Sequence, residues 1–256
     1  MRSLTISRMS WWLALASFPP ALLGLVRYLH GVELNVPEWF VPMLVYVLCP
    51  GVVAMLGVFL WASPALASEL EGRSWVYLAV RPQGGPAVVL GKYLVAVAWS
   101  APAAVLSSAA SLAIFNVNEF ATYPRDLWLE ARLSVLSCVC YGAIFTLIGV
   151  VLPKRSMVIG IVYVAIFEVV LSTVPAAVNL ATIQFRLRVL ALQWIEPAAA
   201  DWNRIVREVP ILSMYDSPHS PAWHVGALLA MTAGVLALAV ALLRVKEFTA
   251  ESESDV

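Results

Sequence analysis

Glu168 is the residue in this sequence whose chemistry is hardest to overlook. It sits in the run Met157 to Val178 among aliphatic and aromatic neighbours, the only acidic residue well inside such a run, about 11 residues from either end. An ionised carboxylate in hydrocarbon costs several kcal/mol unless paired, so this side chain faces other helices or takes up a proton. Its chemistry is then either contact with a transported solute or proton, or a packing hydrogen bond to a Ser, Thr or Tyr on a neighbouring helix. Gly160, Glu168, Ser172 and Ala176 recur at multiples of four and form one small, polar stripe. Ser134, Cys138, Gly142 and Thr146 make a comparable stripe in the preceding run.

Other chemistries do not assemble. Cys49, Cys138 and Cys140 all lie in apolar runs without metal-type spacing, and Cys138 and Cys140 point to different faces of a helix. They read as small core residues. His219 and His224 are five apart around Pro221, a poor arrangement for a metal on one helix face, and His30 is remote in sequence. No nucleophile has a base at recognisable spacing. The nearest approach to a phosphate loop, Gly85 to Gly91-Lys92-Tyr93, has one residue too many between its glycines and Tyr where Ser or Thr is needed. The sequence therefore predicts no catalytic, cofactor or metal site, and a protein that is not an enzyme.

The elements that position these residues follow from composition. Of 256 residues, 61% are hydrophobic and 12% charged, with mean hydropathy +0.85; soluble domains hold about 45–50% and about 25%. The chain reads as an integral membrane protein. Its 16 Lys and Arg balance 16 Asp and Glu, which leaves no basic excess for nucleic acid. A helix needs about 20 residues to cross hydrocarbon, and six uncharged apolar runs approach that length: 11–29, 39–63, 87–115, 131–152, 157–178 and 223–243. Trp11, Trp12, Trp39, Trp61, Trp128 and Trp223 mark their ends. Pro19-Pro20 inside the first run fits a kinked span better than a cleaved signal peptide.

The predicted fold is thus an all-α membrane protein of six transmembrane helices, one transmembrane domain over 1–246 with an acidic tail at 247–256. With the N-terminus inside, nine Lys and Arg flank the cytoplasmic ends and seven lie outside, four of those in the long segment 179–222. Both termini are therefore expected in the cytoplasm of a multi-pass cell-membrane protein. In the outer segment Trp194, Ala198, Trp202, Ile205 and Val209 recur at helical steps, which predicts an amphipathic helix on the outer interface ending near Pro210.

Between the second and third runs, residues 64–86 form a polar cytoplasmic stretch. Its pattern predicts a short helix lying on the membrane face, with Leu70, Trp75, Tyr77 and Leu78 docked and Glu69, Glu71, Arg73 and Arg81 in water. Pro82 ends it, Gly84-Gly85 make a turn, and Lys92 snorkels from the next helix.

The run Glu69-x-Glu71-Gly72-Arg73-Ser74-Trp75-x-Tyr77-Leu78-x-x-Arg81-Pro82, then Gly91-Lys92-Tyr93, resembles the signature of the permease subunits of ABC-2 type transporters. In that family an acidic pair, a Gly, a Ser or Thr, a Tyr-Leu step and an Arg-Pro pair follow the second of six spans. Gln83-Gly84-Gly85 departs from it, since members often carry a basic or aromatic residue after Arg-Pro. A weaker likeness is Gly160 to Tyr163 and Glu168 in the fifth run.

The resemblance implies a permease without its own ATPase, paired as a homodimer or heterodimer, with two copies of an ATP-binding subunit that hold ATP and Mg. Glu69, Glu71, Gly72, Arg73 and Arg81 would lie at the coupling surface, and Trp75, Tyr77, Leu78, Pro82, Gly91 and Lys92 would anchor it to the membrane and the spans. It implies export from a bacterial inner or plasma membrane, and the aliphatic and aromatic spans favour a hydrophobic or amphipathic solute. Two rival readings stay open: an assembly or mechanical signalling subunit docked to an ATPase, and an ion-coupled secondary transporter with Glu168 as its proton site.

Overall fold

A computed structural model of the chain describes residues 2–30, 39–71, 84–115, 122–174, 177–196, 199–208 and 210–245. Among them there is no strand. In chain order the helices are α1 (Arg2–His30), α2 (Phe40–Leu48), α3 (Met55–Glu71), α4 (Gly84–Phe115), α5 (Tyr123–Val151), α6 (Ser156–Tyr163), α7 (Ile183–Ile195), α8 (Ala199–Glu208) and α9 (Pro221–Val245). A π-helical segment, Cys49–Ala54, joins α2 to α3, and a second one, Val164–Val170, continues α6. Six stretches are long and apolar enough to cross a membrane: Met9–Leu29, Phe40–Ala65, Gly84–Phe115, Tyr123–Val151, Pro153–Thr173 and Pro221–Leu243. The protein is an all-α, multi-pass membrane protein.

Where the helices differ from the apolar runs, local chemistry explains it. The fourth span starts at Tyr123 instead of 131, because Arg125, Glu130 and Arg132 sit within the helix against protein rather than ending it. The fifth stops at Thr173 instead of 178. Val174 is already extended, as a residue ahead of proline tends to be, and Pro175 follows. Glu168 consequently lies near the C-terminal end of its span, Pro153–Thr173, and not at its middle. Gly84 and Gly85 open α4, with Pro86 in its first turn where a missing N–H is tolerated, so the expected turn does not form there. The first helix runs unbroken through Pro19 and Pro20.

The bundle is organised around α5, which packs against α3, α4, α7 and α9. Tyr46, Val58, Leu133, Tyr141, Phe145, Leu187 and Leu228 are fully buried in this core. The first, fifth and sixth spans turn apolar side chains such as Leu13, Phe18, Ile161, Phe167 and Leu238 outward, as helices facing lipid do. Two glycines permit close approach. A Cβ on Gly142 would lie 3.1 Å from both Tyr93 and Val97 of α4, and one on Gly160 would run into the Phe59 ring of α3. Phe59 is itself buried and packs edge-on against Phe145 at 5.1 Å, so its displacement disturbs the core.

Gly160→Ala is therefore expected to lower stability by about 1–3 kcal/mol through overpacking. Gly226→Ala, with nothing within 4 Å of its Cβ, should leave stability unchanged or raise it by up to about 1 kcal/mol. Thermal unfolding in detergent micelles makes the comparison. Equal behaviour of the two variants would show that the second and fifth spans do not pack through Gly160.

Candidate functional site

The 13 residues of α7 are too few to cross hydrocarbon, yet the helix is buried along most of its length, Ile183 to Leu187 and Val189 to Ala191 included. The expected interfacial helix through 194–209 is in fact two elements. Glu196 takes up the left-handed conformation at φ 49° and ends α7 with an N–H to the Leu192 carbonyl at 3.1 Å. Only α8, which stops before Pro210, has the amphipathic character that the periodicity of Trp202 and Ile205 suggests. Inserting α7 into the bundle raises an immediate difficulty, since the first N–H groups of any helix lack partners inside it.

The sequence meets that need from several elements. Thr182 caps the helix, its hydroxyl accepting from Phe185 N–H at 3.3 Å and donating to the Asn179 carbonyl at 2.8 Å. Gln184 N–H donates to Oε2 of Glu168 at 2.8 Å. The same oxygen accepts from the Tyr141 hydroxyl at 2.9 Å, and Oε1 accepts from the Tyr163 hydroxyl at 2.5 Å. A carboxyl group only 2% exposed thus has three donors and the first turn of a helix against it. Tyr141 O–H also lies 3.1 Å from Oε1 of Gln184. It has a single hydrogen to share between the two acceptors.

Both π-helical segments face this point. Glu168 belongs to the second, where Ser172 donates to its backbone carbonyl. In the first, a Cβ on Gly51 would lie 3.2 Å from Nε2 of Gln184, so glycine lets the amide rest against the backbone. The neighbouring Pro50 carbonyl accepts from Ser137 of α5 at 2.7 Å. The opposite end of α7 is matched in charge as well: Arg125 Nη2 donates to the Ile195 carbonyl at 3.4 Å, and Arg132 lies 4.4 Å over the Trp194 ring.

A second buried carboxylate, Glu130, is fully enclosed, and neither oxygen has a hydrogen-bond partner among the described residues. Tyr46, likewise enclosed and with an unpartnered hydroxyl, is within electrostatic reach of Glu130, Glu168, Arg188 and Tyr215. Arg188 donates to the Tyr215 hydroxyl at 2.7 Å. Glu168 is therefore not the only acid within a span. Glu130 escapes a search for uncharged runs because it stands one residue ahead of the expected start at 131. The signal was present, since Glu130 extends the stripe Ser134, Cys138, Gly142, Thr146 by one further step of four.

Gly160, Glu168 and Ser172 are all buried, and Ala176 lies outside the described residues. Glu69 and Glu71 fall in the last turn of α3, past the apolar run expected to end at 63. Gly72, Arg73, Trp75, Tyr77, Leu78, Arg81 and Pro82 lie outside the described residues. Gly91 is exposed on α4 and Lys92 half-buried. The three cysteines are buried and unbridged, and Cys138 and Cys140 turn toward different neighbours, the Ala54 and Leu228 carbonyls. No group of His, Cys, Asp or Glu among the described residues is arranged to hold a metal ion. In comparison with known proteins, the chain matches no family model and no curated protein.

Removing the carboxylate strands buried donors, which costs about 1–3 kcal/mol. Glu168→Ala should speed hydrogen exchange at the first amides of α7 about tenfold or more, and Tyr141→Phe should produce a smaller effect. Unchanged exchange in Glu168→Ala would mean that something other than this carboxylate holds the helix start.

Proposed function

We propose that this chain is the membrane-spanning subunit of an ATP-driven exporter of the ABC-2 type. The observation that carries the reading is positional: the run from Glu69 to Pro82 falls between the second and third of six apolar helices. Supporting it, α3 continues as helix to Glu71, past the apolar run that ends at 63 in the sequence, so the first acidic residues of the run follow the span without a break in the helix. An even number of crossings returns the chain to the side on which it began. The basic connection Pro153 to Ser156, with Lys154 and Arg155 between the fourth and fifth spans, favours the cytoplasm for that side.

On this reading two ATP-binding subunits hold ATP and Mg and dock on Glu69, Glu71, Gly72, Arg73 and Arg81. Trp75, Tyr77 and Leu78 transmit their movement to the spans. The chain works as a dimer with itself or a related permease and moves a hydrophobic or amphipathic solute. The latch of α7 on Glu168 ties the outer segment to the fourth and fifth spans, so a shift of those spans carries the outer face with it.

Expression with neighbouring genes should co-purify a soluble subunit bearing a phosphate loop, and transport in vesicles should be blocked by vanadate. Absence of such a subunit, or transport driven by a proton gradient alone, would overturn the reading. Within it, Glu71→Ala or Arg73→Ala should leave the assembly intact and lower solute-stimulated ATPase activity at least about tenfold, a loss of about 1.4 kcal/mol in coupling. Full stimulation in both variants would place the coupling surface elsewhere.

A further inference from the structure

The hardest group to account for outside this latch is Arg186. It is 8% exposed on α7; its Nε donates to the Leu180 carbonyl at 2.8 Å, and its Nη1 has no acceptor among the described residues. A guanidinium keeps its proton under ordinary conditions, so a buried one without a counter-charge is costly. Burial alone pulls its pKa below the usual arginine value, with no carboxylate opposing the shift.

Among the described residues, the groups found against it are cationic or neutral. The guanidinium lies 5.0 Å over the ring of Trp223, and Trp223 meets His224 edge-on at 5.2 Å and His219 face-on at 4.4 Å. His224 is fully buried, and its Nδ1 also lacks a partner. The titratable groups acting on it are Arg186 and His219. The Ser217 oxygen accepts from His219 N–H at 3.3 Å and lies 2.9 Å from His224 Nε2, which engages that ring nitrogen and leaves Nδ1 as the one without a partner among the described residues. Two buried nitrogens, Arg186 Nη1 and His224 Nδ1, are thus left without partners among the described residues, on side chains that both pack against Trp223. Both histidines belong to the start of α9 or the loop before it, and the positive end of that helix adds to the field.

The structure assigns to Arg186 and His224, with Trp223 as wall, a binding site for a phosphate-type oxyanion. The ligand supplies the acceptor that Nη1 lacks and the negative charge that the guanidinium requires, and His224 adds a second donor where Nδ1 carries the ring proton. Trp223 is 45% exposed at the end of the sixth span, the level at which lipid headgroups lie. The oxyanion is therefore either the phosphate of an anionic lipid or phosphate free in solution.

Thermal unfolding of the delipidated full chain in uncharged detergent decides this, with inorganic phosphate, phosphatidylglycerol or phosphate-free diacylglycerol added. The wild-type protein should gain several degrees with phosphatidylglycerol, with inorganic phosphate or with both, and nothing with diacylglycerol. A gain from the lipid alone identifies a headgroup site, and a gain from phosphate alone a solute site. Arg186→Gln should abolish the gain, and without additive it should unfold no lower than wild type, because it removes an uncompensated charge. His224→Asn should weaken apparent affinity about tenfold. No gain with either ligand, an equal gain in Arg186→Gln, or an additive-free Arg186→Gln protein that unfolds many degrees lower would overturn the assignment.

Discussion

A helix that begins inside a membrane protein must find acceptors for N–H groups that water would otherwise satisfy, and α7 finds them in Glu168. The bond from Gln184 N–H to this carboxylate joins two costs that would each be prohibitive alone. An unpaired buried carboxylate and an uncapped buried helix start are both expensive; brought together, with the Tyr141 and Tyr163 hydroxyls, they offset one another. Arg125 performs the complementary task on the Ile195 carbonyl. A short helix that could not span the bilayer is thereby fixed among helices that do.

Much of the surrounding irregularity serves this junction. The π-helical turns at Cys49–Ala54 and Val164–Val170 break the regular register of the second and fifth spans where those spans meet the start of α7. Such turns are rare and cluster at functional places in helices. One presents Gly51 to the Gln184 side chain, and the other carries Glu168 itself. The regular helix α5 runs past both, contributing Tyr141 to the carboxylate and Ser137 to the Pro50 carbonyl.

The polar interior separates into groups that are fully matched and groups that are not. Glu168 has donors for both oxygens, whereas Glu130, Tyr46, Arg186 Nη1 and His224 Nδ1 have no partner among the described residues. Matched networks rigidify, because moving any member strands the rest. Unmatched buried groups mark places where a proton or a ligand changes the balance. The contrast assigns holding to the Glu168 junction and leaves response to the unmatched groups around it.

The six spans were legible in the sequence because hydrocarbon imposes a length and an apolar composition that any segment must satisfy by itself. The four-residue stripes through Gly160 and Ser134 were legible for the same local reason, since helical spacing alone sets which residues share a face. The burial of α7 was not. Gln184, Arg186 and Arg188 lie in a segment that reads as interfacial until the groups they meet elsewhere in the chain, Glu168, Trp223 and Tyr215, are in place. Glu130 was obscured because charge ends an apolar run in sequence, although a helix can keep a charge that faces protein. What the sequence determined is what each segment must do alone against lipid. Which polar groups find each other was decided only by the tertiary structure, because a hydrogen bond between Gln184 and Glu168 depends on where four separate helices meet.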